Sequence, residues 1–482
     1  MKKTKAISCL FLALLMLFSV TACKENPTTE DSGSVDVEYE YVYENNNQGT
    51  QSNQDSNANG EKRKNDPTSS KGASKGGSKD GSKGGGKTDK YKQLAEKYRG
   101  TTVRYATWKD PYQNEDGDVV KAFMSEYGIN VKIDMVGQSS YSRSIDSMIA
   151  AGNAPDIYFC NGDFPGCLSA LQPIDVAKID RTDPIWDKGM FEASTINGKT
   201  YLVNTVGNIW NEVDCVFYNK RLLKENNITT PEEYYKAGKW NFDTMTKVMR
   251  DVKALGSDYI GGYLDWEVVL GLMNADYYRW SNGKFANGIN EDLISASEYL
   301  ATCLKEGLIK NLYDYNCRDD FIGGKVGIAL TNAYGLKKTG YWKKMNADDI
   351  GFTYLPDYNS KKKAVTCGIF RGWGIVKGSK NPEAAGLFLR YYLDVNNYNT
   401  SKAFISSEAE SFFFKLTSGV TTDKKHAVVT LGTTGVVGDN GVLLGNVAKN
   451  DPTQVRSVIL SLKNKIDSDV KVLNDFVGKQ TK

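Results

Sequence analysis

The chain has 482 residues, a formal net charge of +3 at pH 7 and one histidine, His426. The near balance of charges gives no reason to expect nucleic acid or another polyanion as a partner, and a single histidine without any Cys-x-x-Cys pair argues against zinc sites and histidine-based catalysis. The part of the chain with apolar periodicity is too long for one hydrophobic core, which predicts two domains.

Residues 1–22 are typical of a signal peptide, because three lysines precede an apolar run from Ile7 to Val20 that is too short to span a bilayer comfortably. The run ends in Val20-Thr21-Ala22-Cys23, which resembles a lipobox and implies cleavage before Cys23 and lipidation of that cysteine. We therefore expect acyl chains to hold the protein on the extracellular face of the cell membrane, in a bacterium with a single membrane. A plain signal peptide followed by an incidental cysteine is the alternative.

Residues 23–90 predict a disordered, lipid-anchored stalk. Acidic residues are frequent in 25–44, asparagine, glutamine, serine and glycine dominate 45–60, and basic residues spaced by glycine and serine fill 61–90. Such a segment buries too little apolar surface to offset its conformational entropy. We expect a tether that lifts the folded part away from the lipid, with binding of its basic end to anionic cell-wall polymer as the alternative.

The first elements that follow alternate between strand and helix. Thr102–Trp108 and Ile129–Met135 have the composition of strands, Asp118–Tyr127 has the apolar spacing of a helix, and a second helix follows from Ser140. This order predicts a parallel sheet with helices on its faces. Trp108 lies at the end of its strand, where the loops of such a sheet face the ligand crevice.

A third strand is predicted at Asp156–Cys160, after Gly152 and Pro155 have ended the helix. The loop that follows contains the polar residues Asn161 and Asp163. Because the carboxyl ends of parallel strands meet at one edge of a sheet, these side chains are expected at the same crevice as Trp108.

Five runs of sequence occur in the order AAGNAPDIYF (from Ala150), YLV after an NGKT turn, VFYNK, FIGGKVGI and GSKNPEAA. Between about Arg99 and about Phe404, this order resembles family 1 extracellular solute-binding proteins, the sugar-binding lipoproteins of bacterial ABC importers, which are similar in architecture to maltose-binding protein. The resemblance implies a two-lobed, periplasmic-binding-protein-like α/β fold of type II. Each lobe would have a mixed, mainly parallel sheet flanked by helices, with a hinge and a cleft between the lobes.

The resemblance also implies how the chain is divided. We expect residues 91–211 in the first part of lobe 1, 212–367 in lobe 2, 368–415 returning to lobe 1, and 416–482 as C-terminal helices that belong mainly to lobe 2. The two predicted crossings between lobes lie near 207–211 and 367–376.

Sugar recognition needs flat aromatic rings against the apolar faces of a pyranose and fixed polar groups for its hydroxyls. Strand ends, crossings and the cleft segments implied by the resemblance select the predicted substrate-binding residues Trp108, Asn161, Asp163, Trp210, Trp266, Asn332, Tyr334 and Trp373. Packing in a core is the alternative for any single tryptophan, and for Trp240 packing is what we expect.

The predicted function is capture of a carbohydrate, in particular an oligosaccharide, by hinge closure, and its delivery to the permease subunits of an ABC transporter. We expect a monomer without cofactor, metal or catalytic residues, because the sequence offers no independent pair of carboxylates for glycoside hydrolysis and no nucleophile elbow. A surface glycan-binding or sensing lipoprotein that feeds no importer, and a receptor for a non-sugar solute such as a peptide, are the alternatives.

Cys160–Cys167 and Cys303–Cys317 are compatible with disulfides and with reduced thiols.

Overall fold

This computed structural model describes residues 85–482 except 114–115, 139, 209–212, 313–316, 359–370, 399–402, 419–435, 438–439 and 482. The chain divides into two units, 1–70 and 71–482, and every described residue belongs to the second. The predicted signal peptide with Cys23, most of the predicted stalk, Trp210, Cys367 and His426 lie outside the described residues. None of the helices within the described ranges is both long enough and apolar enough to cross a bilayer.

The strands of the described residues are, in chain order, β1 (Thr102–Thr107), β2 (Asn130–Met135), β3 (Ile157–Asn161), β4 (Leu171–Gln172), β5 (Thr195–Ile196), β6 (Lys199–Thr200), β7 (Asp214–Asn219), β8 (Ile260–Leu264), β9 (Tyr278–Ser281), β10 (Lys284–Asn287), β11 (Val326–Asn332), β12 (Ile350–Thr353) and β13 (Arg371–Val376).

The α-helices of the same residues are, in chain order, α1 (Gly85–Glu96), α2 (Asp116–Tyr127), α3 (Tyr141–Ala150), α4 (Lys188–Ala193), α5 (Lys220–Glu225), α6 (Pro231–Lys236), α7 (Phe242–Lys253), α8 (Trp266–Met273), α9 (Glu291–Lys305), α10 (Cys317–Ile322), α11 (Pro382–Tyr392), α12 (Ser407–Thr417), α13 (Asn440–Ala448), α14 (Pro452–Ser461) and α15 (Lys463–Gln480).

Lobe 1 is built on a five-stranded sheet with the order β2-β1-β3-β13-β4. Strand β1 pairs in parallel with β2 and β3, whereas β13 runs antiparallel to β3 and β4. Helices α2 and α11 cover one face, and the rings of Phe123 and Phe388 meet there with centroids 5.2 Å apart. The ends of β1 and β3 and the start of β13 therefore share one edge of the sheet, because Arg371 lies opposite Asn161.

Lobe 2 is built on a four-stranded sheet with the order β12-β7-β11-β8. Strand β7 is antiparallel to both of its neighbours, and only β8 pairs in parallel with β11. Every residue of β7 and β11 is buried, as expected for central strands covered on both faces. The predicted mixed sheets are confirmed, but they are not mainly parallel, because lobe 1 has as many antiparallel as parallel strand pairs and antiparallel pairs predominate in lobe 2.

The segment with Phe404 and helix α12 packs on lobe 2, whereas the predicted return segment 368–415 would place it in lobe 1. Lys337 of lobe 2 forms a β-bridge with Phe404, and the ring centroids of Phe352 and Phe412 are 5.0 Å apart. The reason is burial of aromatic surface, because Phe413 is buried in the core of lobe 2 and Phe412 packs against strand β12, whereas Phe414 stays exposed.

Helix α1 begins at Gly85, inside the segment 23–90 that was predicted to be the stalk. Tyr91 ties this helix to lobe 1, since its hydroxyl donates to Asp183 (2.7 Å) and the guanidinium of Arg390 lies 4.8 Å from its ring centroid. Tyr91 and Ala95 are four residues apart and both are buried, which gives α1 an apolar face. Because the preceding residues are rich in glycine and lysine, the sequence alone does not indicate where this helix begins.

Candidate ligand-binding site

A cavity of about 1140 Å³, a volume that includes solvent at its mouth, lies between the carboxyl edge of the lobe 1 sheet and the loops of lobe 2. About half of its lining residues are aromatic, and both lobes contribute. The described residues that line it are Tyr105, Thr107, Trp108, Lys109, Pro111, Asp116, Phe159, Asn208, Tyr334, Lys337, Arg371, Trp373, Tyr392, Val395, Tyr398, Ala403, Phe404, Phe413 and Phe414.

The lobe 1 wall is a continuous aromatic surface of Trp108, Phe159 and Trp373. Trp373 lies directly opposite Phe159 in the antiparallel pair of β13 and β3, so their side chains share a face, and their rings stack with centroids 4.8 Å apart. Trp108 follows the last residue of β1 and reaches Phe159 at 5.2 Å. The structure thus brings together two predicted residues, Trp108 and Trp373, through a third that was not predicted.

Trp373 also serves as a packing residue, which was the alternative considered for it. It is 9% exposed, and its indole Nε1 donates to the hydroxyl of Tyr105 (3.3 Å). A Cβ on the neighbouring Gly374 would lie 2.9 Å from the backbone oxygen of Tyr201, so that position requires glycine for close packing. The strand can therefore present one indole edge to the cavity while the rest of the ring is fixed.

The lobe 2 wall is centred on Tyr334, in the short 3₁₀ helix Ala333–Leu336 that follows β11. The ammonium of Lys109, from lobe 1, lies 5.0 Å from the ring centroid of Tyr334. Asn332 is 5% exposed and absent from the lining, and its side-chain oxygen accepts from the backbone N–H of Tyr334 (3.3 Å) and the hydroxyl of Tyr341 (2.8 Å). Asn332 therefore positions the aromatic wall rather than forming it.

Asn161 and Asp163 lie one layer behind the lining. The Nε–H of Arg371, which does line the cavity, donates to the side-chain oxygen of Asn161. The carboxylate of Asp163 accepts from the backbone N–H of Asn161 (3.1 Å) and from the hydroxyl of Tyr158, and burial raises its pKa. Asn161 thus reaches the cavity through Arg371, and Asp163 holds the backbone of Asn161.

Trp266 is the predicted site residue that lies farthest from expectation, since it is 5% exposed and does not line the cavity. It begins helix α8, whose next residues are almost all buried, so this helix is part of the lobe 2 core. Trp240 packs as predicted, because it is 3% exposed and its Nε1 donates to the backbone oxygen of Tyr354 (2.8 Å). Trp210 lies outside the described residues.

Charge in the cavity was missed by the sequence analysis. The side chain of Lys109 is exposed, because the cavity around it is open. Enough protein nevertheless surrounds its ammonium for burial to lower its pKa. The guanidinium of Arg371 lowers this pKa further, the carboxylate of Asp116 opposes the change, and Lys337 adds to it. Lys109 follows Trp108 in the chain, so its place at a strand end was the available signal.

Two thiols and a carboxyl form a cluster beneath the lobe 1 wall. The ligand atoms of Cys160, Asp163 and Cys167 lie within 4.8 Å of one another. Burial raises the pKa of both thiols, and the carboxylate of Asp163 accepts a hydrogen bond from the hydroxyl of Tyr158. In this structure the cluster is a hydrogen-bonded part of the core. Cys160, Cys167, Cys215 and Cys303 form no disulfide in this structure.

Residues 99–395 match the family described as bacterial extracellular solute-binding proteins. No curated protein sequence matches the chain significantly.

Several solved structures are similar to this chain. One is the galacto-N-biose/lacto-N-biose I-binding protein of an ABC transporter from Bifidobacterium longum, in complex with lacto-N-biose. Its TM-score is 0.55 at 14% identity, and the match covers 78% of this chain and 98% of that one. An extracellular solute-binding protein from Staphylococcus aureus in complex with maltose has a TM-score of 0.53, 18% identity, and coverage of 78% and 99%. The maltose-binding periplasmic protein of Listeria monocytogenes in complex with maltose has a TM-score of 0.52, 19% identity, and coverage of 79% and 99%.

At these sequence identities the structural likeness establishes the fold alone. The family match covers well over half of the chain and therefore establishes the family. The two mixed sheets with their flanking helices agree with the two-lobed structures. This chain belongs to the bacterial extracellular solute-binding proteins, family 1, and has their two-lobed α/β fold.

Proposed function

We propose that this protein binds an oligosaccharide in the cavity between its lobes and delivers it unaltered to the permease of an ABC transporter. The observation that carries the proposal is the aromatic wall of Trp108, Phe159 and Trp373, which faces Tyr334 across one cavity. Flat, partly accessible rings stack on the apolar faces of sugars, and the polar groups between them serve hydroxyls. The sugar-bound relatives named above belong to the same fold.

Closure of the lobes is the proposed mechanism of capture. Lys109 belongs to lobe 1 and Tyr334 to lobe 2, so their contact at 5.0 Å bridges the cavity and would break when the lobes open. A ligand that touches both walls binds the closed arrangement better than the open one and shifts the population toward it. The closed surface is then the signal to the permease, while the stalk and a lipid on Cys23 keep the receptor at the membrane.

No step of bond cleavage is part of the proposal. Asp156, the acid of the APDIYF run, is 2% exposed and its carboxylate accepts from the backbone N–H groups of Arg104 (2.8 Å) and Asn381 (3.1 Å) and from the hydroxyl of Ser379 (2.6 Å). It joins β1 to the start of helix α11, and it is fully engaged there. A glycosidase would need two carboxylates beside the ligand, whereas the described lining holds one, Asp116.

The test is a thermal-shift screen of the purified protein against oligosaccharides and peptides, followed by calorimetry and small-angle scattering on each hit. A ligand at a hundred times its Kd should stabilise the protein by about 2.7 kcal/mol. We expect an oligosaccharide hit, a smaller radius of gyration with ligand, and unchanged sugar after long incubation.

Stabilisation by peptides alone would show that the ligand is a peptide and not an oligosaccharide. Sugar binding without compaction would show that closure is not part of the mechanism. Loss of uptake of the same sugar in a strain that lacks the gene separates an importer component from a sensing lipoprotein, because a sensor would leave uptake intact.

A further inference from the structure

Three cationic side chains from separate elements converge on the aromatic cavity. Lys109 follows β1, Lys337 follows the 3₁₀ helix of lobe 2, and Arg371 is the first residue of β13. Asp116 is the one carboxylate among the described lining residues. The described lining residues therefore carry a net positive charge, although the whole chain is nearly neutral.

The cations are close enough to repel one another. Arg371 and Lys337 both disfavour the charged form of Lys109, and Asp116 only partly offsets them. Water in a concave site screens such repulsion less than bulk solvent does. A bound anion would favour the charged forms of all three side chains.

The cations are also held in place. The Nε–H of Arg371 donates to Asn161, its partner in the β3–β13 pair, and the ring of Tyr334 lies against the ammonium of Lys109. The carboxyl of Asp265 also interacts with both Arg371 and Arg318, and burial raises its pKa to about 6.

We infer that the ligand is an anionic oligosaccharide, one whose sugar rings carry carboxylate or sulfate groups. This inference rests on the proposed function of the cavity and names the class of sugar. The partly accessible rings of Trp108 and Phe159 take the apolar sugar faces, and Arg371 with the two lysines takes the anionic groups. Guanidinium and ammonium groups bind both carboxylate and sulfate oxygens with short, charge-assisted hydrogen bonds.

The experiment measures Kd by calorimetry on the purified protein with paired probes. Oligogalacturonate, alginate and hyaluronate oligosaccharides are each compared with their carboxyl-reduced forms, and a chondroitin sulfate oligosaccharide is compared with its desulfated form. We expect at least one anionic probe to bind about tenfold or more tightly than its neutralised partner, because a hydrogen bond to a charged group contributes about 1.5–3 kcal/mol. The carboxylate and sulfate pairs show which anion is recognised.

Variants then assign the effect to these residues. Arg371→Gln and Lys109→Met should each lower the ratio of anionic to neutral affinity about tenfold, whereas Lys344→Met, an exposed lysine outside the lining, should leave the ratio unchanged. Lys337→Met, in a loop, tests the same point if the first two variants fold poorly. The ratio also excludes a general loss of fold, which would weaken both probes alike.

Equal affinity for anionic and neutralised probes, or binding of neutral oligosaccharides alone, would overturn this inference and leave the proposed function standing. Binding of no oligosaccharide of either kind would overturn both.

Discussion

The two walls of the cavity are built in different ways. The lobe 1 wall consists of side chains fixed by strand register, since Trp373 lies opposite Phe159 in adjacent strands and Trp108 directly follows a third. The lobe 2 wall consists of a 3₁₀ helix and loops around Tyr334, together with Phe404 and two phenylalanines of helix α12. One wall is a part of a sheet, and the other is carried mainly by turns and by one helix.

This difference suggests a division of labour between the lobes. Side chains locked in a sheet cannot rearrange without loss of stability, whereas turns at the end of a strand tolerate movement and substitution. The lobe 1 wall therefore suits the role of a preformed platform on which a sugar first stacks, and the lobe 2 wall suits that of the surface that closes over it. Substitutions on the two walls should accordingly affect stability and affinity in different proportions.

The largest expected effect is on stability, in the platform. Trp373→Ala should lower the free energy of unfolding by about 3–5 kcal/mol, because it removes a buried indole that stacks on Phe159 and donates to Tyr105. Urea denaturation followed by circular dichroism measures it. Trp373→Phe keeps most of the ring and should recover a large part of the loss. A destabilisation below about 1 kcal/mol for the alanine variant would show that the platform is not held by this residue.

The next effect is on affinity, at the accessible end of the same wall. Trp108→Ala should weaken binding of the identified oligosaccharide about ten- to a hundredfold, since loss of a stacking ring costs about 1.4–2.8 kcal/mol. Because Trp108 is only partly buried, its loss of stability should be smaller than that of Trp373→Ala. Calorimetry on folded protein measures the affinity.

Two other tryptophans serve as comparisons for Trp108. Trp240→Ala should destabilise lobe 2 and leave affinity unchanged, because its indole packs on the backbone of Tyr354 outside the cavity. Trp266 was predicted as a sugar contact, and its place in the core makes Trp266→Ala resemble Trp240→Ala. If Trp266→Ala weakened binding as strongly as Trp108→Ala, the assignment of the binding surface to this cavity would be wrong.

The sequence predicted the platform better than the closing wall, for a physical reason. A strand end places its side chain at a known edge of a sheet, so Trp108 could be assigned from local pattern alone. Phe159 could not, because it lies within an apolar strand, and only its pairing with β13, far along the chain, shows that it faces the cavity. The family resemblance supplied Tyr334 but not the register that connects the aromatic residues of lobe 1.

The charged residues escaped sequence analysis for the same reason. Lys109, Lys337 and Arg371 are distant in sequence, and no local pattern indicates that three surface-type residues meet at one site. Composition also concealed them, since the basic residues of the predicted stalk obscure the distribution of charge in the folded part. Phe404 and Phe414 were missed because the boundary of the return segment was set by resemblance and not by burial.

The smallest expected effect is on closure, at the lobe 2 wall. Tyr334→Leu removes the ring that faces the ammonium of Lys109, a contact that contributes about 0.5–2 kcal/mol, and keeps a shorter apolar side chain. Unlike Trp373, Tyr334 is only partly buried in a short 3₁₀ helix, so the free energy of unfolding should change little. Affinity should fall about three- to tenfold, and the lost interaction belongs to the closed state alone, so small-angle scattering at subsaturating ligand should show a larger open fraction.

Tyr334→Phe is the matched control, because it retains the ring and loses only the hydrogen bond from its hydroxyl to the backbone oxygen of Thr339 (3.1 Å). Equal behaviour of the leucine and phenylalanine variants would place the closing interaction elsewhere in lobe 2, and a loss of stability as large as that of Trp373→Ala would remove the distinction between a fixed platform and a movable wall.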